Sequence, residues 1–160
     1  MNSNISVVLL GAGSSRRFKS NQIKQNIKIN NVSILNYSRL FFNKYFTKSN
    51  IFIISNKKVV ISKLRSNEKI IYGSSTRLKS LHVALDSIFR NNLQTKYTLI
   101  HDVARPILNI KDIKRLIISM KPGIDASSLG YPLTSALKDV KRNKVLNNIR
   151  IRNICFYKKT

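Results

Sequence analysis

The stretch that decides the fold is Ile5-Ser6-Val7-Val8-Leu9-Leu10-Gly11-Ala12-Gly13. A continuous apolar run ended abruptly by glycine reads as a strand buried on both faces, which belongs inside a parallel sheet. Working outward, residues 33–46 place Ile34, Leu35, Tyr37, Leu40, Phe41 and Tyr45 near helical spacing, with Ser33 able to cap. Residues 50–55 and 69–72 predict two further strands. Residues 76–90 predict a helix with Leu78, Leu81, Ala84, Leu85 and Ile88 on one face. Residues 96–101 predict a fourth strand, 109–120 a helix capped by Asn109, and 124–130 a fifth strand. Alternation of strand and helix implies an α/β fold: βαβ units and a mostly parallel sheet flanked by helices. The tail 131–160 breaks the pattern, and we expect a β-arm or hairpin there. One domain over 1–160 is expected, because 160 residues suffice for a single hydrophobic core.

The composition excludes several classes. The single cysteine, Cys155, rules out a disulfide framework or a Cys-rich zinc site. Two histidines, His82 and His101, are too few for a His-based metal centre. No apolar run approaches the roughly 18 residues of a membrane span, and residues 5–10 are too short for the core of a signal peptide. A cytoplasmic location is expected. Thirty Lys plus Arg against six Asp plus Glu give a net charge of +24, which suggests nucleic acid, an anionic surface or a phosphorylated ligand. However, 22 Ile, 19 Lys and 18 Asn make 59 of 160 residues, all types read mainly from A/T-rich codons. We therefore read most of the charge as drifted surface. The Phe and Tyr residues mostly occupy apolar faces such as 37–46 rather than interleaving with the basic residues. That argues against a nucleic-acid-binding protein, the reading from a different class.

Parallel α/β sheets bind ligands beyond the carboxyl ends of their strands, which directs attention to three loops. The first is Gly11-Ala12-Gly13-Ser14-Ser15-Arg16-Arg17-Phe18, with Lys24-Gln25 a little further on. Glycines let the backbone approach a ligand, successive amides cradle phosphate, and the cations add charge-assisted bonds. Arg16 stands where a dinucleotide fingerprint needs its third glycine, and no Gly-Lys-Ser/Thr comes after it, so neither of the common nucleotide motifs is met. An ordinary tight βα turn is the plain alternative. The second loop, Gly73-Ser74-Ser75-Thr76-Arg77-Leu78-Lys79-Ser80, suits an anion or a polar base at a helix start. Taken alone, it reads better as a helix capped by Thr76. The third is His101-Asp102-Val103-Ala104-Arg105-Pro106. A carboxylate beside a phosphate site usually holds a divalent cation. His101 reads as a structural ring, and Arg105 as an ion-pair partner of Asp102 that anchors the loop.

These three loops, in this order, resemble the 2-C-methyl-D-erythritol 4-phosphate cytidylyltransferases of the nonmevalonate isoprenoid pathway. The family pattern is Ala-Ala-Gly-x-Gly-x-Arg-Met, Pro-Lys-Gln, Gly-Gly-x-x-Arg-x-x-Ser-Val and His-Asp-Ala-Ala-Arg-Pro. The last element is the specific one. The resemblance implies a Rossmann-like nucleotidyltransferase fold, a homodimer joined through the β-arm, and transfer of CMP from CTP to a sugar-alcohol phosphate with Mg²⁺. It implies that Gly11, Ala12, Gly13 and Ser15 wrap the triphosphate, and that Arg17 and Lys24 stabilise charge on the transferring phosphorus. Gly73, Arg77 and Ser80 would line the cytidine side. Asp102 would hold Mg²⁺ and the reacting groups, Arg105 would face the substrate phosphate, and Arg152, contributed from the β-arm, would be a catalytic residue that positions the substrate.

Departures from the pattern are Ser15 and Ser74 for glycines, Ile23 for proline, and Ala136 for a substrate-contacting threonine, with Thr134 or Ser135 as substitutes. The chain stops at Thr160, where a Thr-Pro-Gln motif would begin, so we expect a domain shortened by roughly 70 residues. Ribitol 5-phosphate is the alternative acceptor, and an inactive remnant the alternative state.

Overall fold

A computed structural model describes residues 4–13, 23–91, 95–132, 137–141, 143–149 and 155–157. The chain divides into two compact units, Met1–Leu108 and Asn109–Thr160.

The first unit is built on the quoted stretch. Strand β1 (Ile5–Leu10) carries Val7, Val8 and Leu9 with no solvent exposure. After a 3₁₀ turn at Lys24–Asn26 comes a small hairpin of β2 (Lys28–Ile29) and β3 (Val32–Ser33). Asn30 and Asn31 form its turn with φ of 48° and 62°, the left-handed region that asparagine tolerates. Helix α1 (Ile34–Tyr45) begins where the Ser33 hydroxyl accepts from Asn36 N–H. Strand β4 (Ile51–Ser55) is buried throughout, and β5 (Glu68–Tyr72) lies beside it. Helix α2 (Arg77–Arg90) is capped by Thr76, whose hydroxyl accepts from Lys79 N–H. Strand β6 (Tyr97–Asp102) completes a sheet in the order β5-β4-β1-β6, parallel throughout.

This order locates the site. From β1 the chain winds outward through β4 to β5, then crosses back to place β6 on the other side of β1. The winding therefore reverses at β1, and such a switch point opens a crevice at the carboxyl ends of the strands. Successive side chains of β1 face opposite layers. Val8 packs with Phe52, Ile54, Ala84 and Ile88 toward α2. Leu9 is level with His101, whose ring centre lies 5.4 Å from that of Phe42 on α1.

The helices fall where periodicity predicts, but their inner faces differ from the expected ones. In α1 the buried positions include Ile34, Leu35, Ser38, Arg39, Phe42 and Asn43, whereas Leu40 is exposed. The inner face accepts Arg39 because it donates from Nε (3.0 Å) and Nη2 to the buried Glu68 carboxylate. Glu68 also accepts from Asn43 Nδ2 (2.7 Å) and Arg65 N–H (2.9 Å). Burial pushes this carboxyl up, but the bonds from Arg39, Arg65 and Asn43, with the guanidinium charge, outweigh it and hold it below the usual glutamate range. In α2, Ser80, Ala84 and Ile88 are buried, while Leu78 and Leu85 face solvent.

The second unit opens with α3 (Ile110–Ser119), capped by the Asn109 side chain accepting from Lys111 N–H. The fifth strand expected over 124–130 is not formed. Residues 124–129 are exposed or half-buried coil, because Asp125, Ala126, Ser127 and Ser128 offer little apolar surface to bury. Only β7 (Gly130–Pro132) is extended, and it pairs antiparallel with β10 (Cys155–Tyr157). Strands β8 (Leu137–Lys141) and β9 (Lys144–Ile149) form an antiparallel hairpin, as expected for the tail.

Candidate active site

The site is assembled from the loops after β1, β5 and β6 in the first unit. Gly11 leaves β1 with its N–H bonded to Ile54 O at 2.7 Å. A side chain there would press on Ile54 O (3.1 Å) and Val103 Cγ2 (3.2 Å), so any larger residue would have to push these neighbours back by a few tenths of an ångström. Gln25, nine-tenths buried in the 3₁₀ turn, donates from Nε2 to Gly11 O (2.9 Å) and to Gly13 O (3.0 Å). Asn56, just past β4, donates to Ala12 O at a longer 3.4 Å.

The second loop closes on the first. A Cβ on Gly73 would lie 2.3 Å from the Ala12 Cβ, far inside contact distance, so glycine is required for the two loops to touch. Ser80 is buried, and its hydroxyl accepts from Ser74 N–H at 2.9 Å and lies 3.3 Å from Ser74 O. The Ser80 side chain thus ties loop to helix rather than standing open.

The third loop meets the second through Arg77, whose Nε donates to Asp102 Oδ1 at 3.0 Å. The ion pair that the structure gives Asp102 is therefore with Arg77 of α2, not with Arg105 as the spacing suggested. The parallel register sets this, because it lifts the end of β6 to the level of the loop after β5. Arg105 instead turns the chain, its N–H donating to Asp102 O at 3.0 Å, and its side chain is exposed. The Arg77 side chain is 60% exposed, so this pair is worth only about 0.2–1 kcal/mol and an incoming anion or cation can displace either partner. His101 is buried against Phe42, with Nε2 3.5 Å from the Ser38 hydroxyl, which is the structural placement expected of it.

Gly11, Ala12 and Gly13 are thus brought together with Gly73, Arg77, Ser80 and Asp102, while Lys24 stands immediately before the Gln25 contact. Ser15, Arg17 and Arg152, like Thr134, Ser135 and Ala136, lie outside the described residues. A groove of about 610 Å³ opens elsewhere in the first unit, beside Asn36, Arg39, Ser62 and Glu68. The Arg39 guanidinium and Glu68 carboxylate in it already bond each other, which separates it from the strand-end chemistry. Among the described residues no cluster of three or more His, Cys, Asp or Glu could hold a metal alone. No helix among them is long and apolar enough to cross a membrane.

The model of the 2-C-methyl-D-erythritol 4-phosphate cytidylyltransferase family matches residues 5–160. The chain belongs to this family. The bifunctional enzyme IspD/IspF of Pelagibacter ubique (strain HTCC1062) is 34% identical over 149 residues, covering 86% of this chain and 39% of that protein. The 2-C-methyl-D-erythritol 4-phosphate cytidylyltransferase of Wigglesworthia glossinidia brevipalpis is 28% identical over 151 residues, covering 91% of this chain and 64% of that one. The chain therefore spans less than two thirds of the length of these curated relatives. Among solved structures, the Francisella tularensis cytidylyltransferase superposes with a TM-score of 0.79 at 24% identity, covering 98% of this chain and 70% of that one. The bifunctional IspDF of Campylobacter jejuni gives 0.78 at 23%, covering 96% and 39%. At these identities the likeness shows the fold: the cytidylyltransferases share the parallel sheet and flanking helices described above.

Sequence reasoning missed Gln25 and Asn56 as loop supports. The adjacent Lys24-Gln25 pair was visible, but a carboxamide reaching back to residues 11 and 13 leaves no spacing signal.

Proposed function

We propose that this chain carries the nucleotide-handling part of a cytidylyltransferase that joins CMP from CTP to 2-C-methyl-D-erythritol 4-phosphate and releases pyrophosphate. The observation that carries this reading is the closure of the Gly73 loop on Ala12, with Arg77 paired to Asp102 across it. The closure puts backbone amides, a guanidinium and a carboxylate around one strand-end crevice. An oxygen of the acceptor phosphate attacks the α-phosphorus in line, and the bond to the bridging oxygen of pyrophosphate breaks. Two anions must meet, so the protein mainly supplies positioning and positive charge.

In this reading the amides of residues 11–13, with Ser15, hold the triphosphate. Lys24 and Arg17 stabilise the charge on the phosphorus. Gly73, Arg77 and Ser80 shape the cytidine side, and Arg105 and Arg152 take the acceptor phosphate. A divalent cation fits only if the nucleotide supplies most of its ligands, since Asp102 is the carboxylate at hand. Mg²⁺ commonly binds in that way. Asp102 would hold it, and the ion would neutralise phosphate charge. The hairpin β8–β9 and the rest of 131–160 serve as a dimerisation arm. Both substrates are water-soluble, consistent with a reaction in the cytoplasm.

The test is to incubate the chain with CTP, Mg²⁺ and either methylerythritol phosphate or ribitol 5-phosphate and to monitor pyrophosphate. Release with the first acceptor is expected. Release only with the second would reassign the acceptor, and folded protein inactive with both would contradict the reading.

A further inference from the structure

The glycine loop is held from behind by a device that the reaction does not name. Three successive carbonyls, those of Gly11, Ala12 and Gly13, are each bonded to a side-chain carboxamide: Gln25 Nε2 takes the first and third, and Asn56 Nδ2 the second. In a trans peptide the C=O of one residue and the N–H of the next point in opposite directions. Drawing Gly11 O toward Gln25 therefore aims Ala12 N–H away from it, and drawing Ala12 O toward Asn56 aims Gly13 N–H away likewise. Among the described residues none accepts from either N–H.

We propose that Gln25, assisted by Asn56, is a positioning residue that turns the amides of Ala12 and Gly13 toward a phosphate. This rests on the reading of the loop as the triphosphate site. The chemistry of the position is narrow. A primary amide offers two hydrogens on one nitrogen, and Gln25 directs them to carbonyls two residues apart in the loop. Glutamate has the same shape but, when ionised, only accepts, so it would face two carbonyl oxygens with no donor. The same contact holds the backbone of Lys24, the preceding residue, in register with the loop.

The test is calorimetric titration of the full chain with inorganic tripolyphosphate and with CTP, both with Mg²⁺, well below the melting temperature. Gln25→Glu is expected to weaken both ligands by the same factor, tenfold or more. Asn56→Ala, on the longer bond, is expected to weaken both about threefold. Asn56 is only half-buried, so its variant keeps the test open should Gln25→Glu not fold. In turnover, KM for CTP should rise with the binding loss while KM for the acceptor phosphate stays within twofold. A general structural defect would not produce that split. Folded variants that bind tripolyphosphate within twofold of the parent chain would overturn the positioning role and leave the CTP site standing. A parent chain that binds neither tripolyphosphate nor CTP would overturn both.

Discussion

Single atoms decide the site. Gly73 is the sharpest case, because its missing side chain is what admits Ala12. Gly73→Ala should cost about 1–3 kcal/mol, the range for overpacking a tight contact, and should weaken CTP binding with it. Adding Ala12→Gly should restore most of the stability, which a double-mutant cycle in urea would measure. Lys24 is a different kind of residue. A charge-assisted bond is worth about 1.5–3 kcal/mol, so Lys24→Ala should slow pyrophosphate release roughly ten- to a hundredfold. At this scale the sequence was legible in part. Asp102, Arg77 and the glycines stood out by type and by resemblance, but which cation meets Asp102 did not. Arg105 is three residues away and Arg77 twenty-five, yet sheet register brings the distant one to 3.0 Å. Gln25 was hidden for the same reason, its work being defined by a loop that closes 12 to 14 residues earlier.

At the scale of elements, the strands β1 and β4 were readable because both faces are covered, which leaves nearly continuous apolar runs in the sequence. Caps at Ser33, Thr76 and Asn109 sit where the side chains suggested. The reading failed where polarity and position disagree. The stretch 124–129 has too little apolar surface to be held in a sheet, and α1 turns Arg39 and Asn43 inward because Glu68 on β5 waits there. This pair joins helix to strand and yields a prediction. Glu68→Gln leaves a buried guanidinium without its counter-charge, so urea unfolding should show a loss of about 3–5 kcal/mol. The pH dependence has a definite sign. The Glu68 carboxyl ionises below its ordinary value of 4.5 in the folded chain, so the unfolded chain binds the proton first as pH falls. The contribution is complete above pH 4.5 and is lost as pH falls through the lowered folded value. Glu68→Gln should lack that part of the acid slope.

At the scale of the whole molecule, the charge of +24 is a standing self-repulsion. Salt screens exposed charges beyond about 8 Å at physiological strength, so raising sodium chloride from about 0.02 M to 0.3 M should raise the melting temperature. A melting temperature that falls over that range would mean the charges are organised in stabilising pairs instead. In the proposed function, five of the basic residues serve the chemistry: Arg17, Lys24, Arg77, Arg105 and Arg152. In the same proposed function, the loops after β1, β5 and β6 form one site for CTP. Pyrophosphate release by the chain with CTP, Mg²⁺ and 2-C-methyl-D-erythritol 4-phosphate tests it most directly. Pyrophosphate and 4-diphosphocytidyl-2-C-methyl-D-erythritol should form in equal amounts, and Asp102→Ala should abolish both. Folded protein that yields neither product and shows no calorimetric binding of CTP would contradict it.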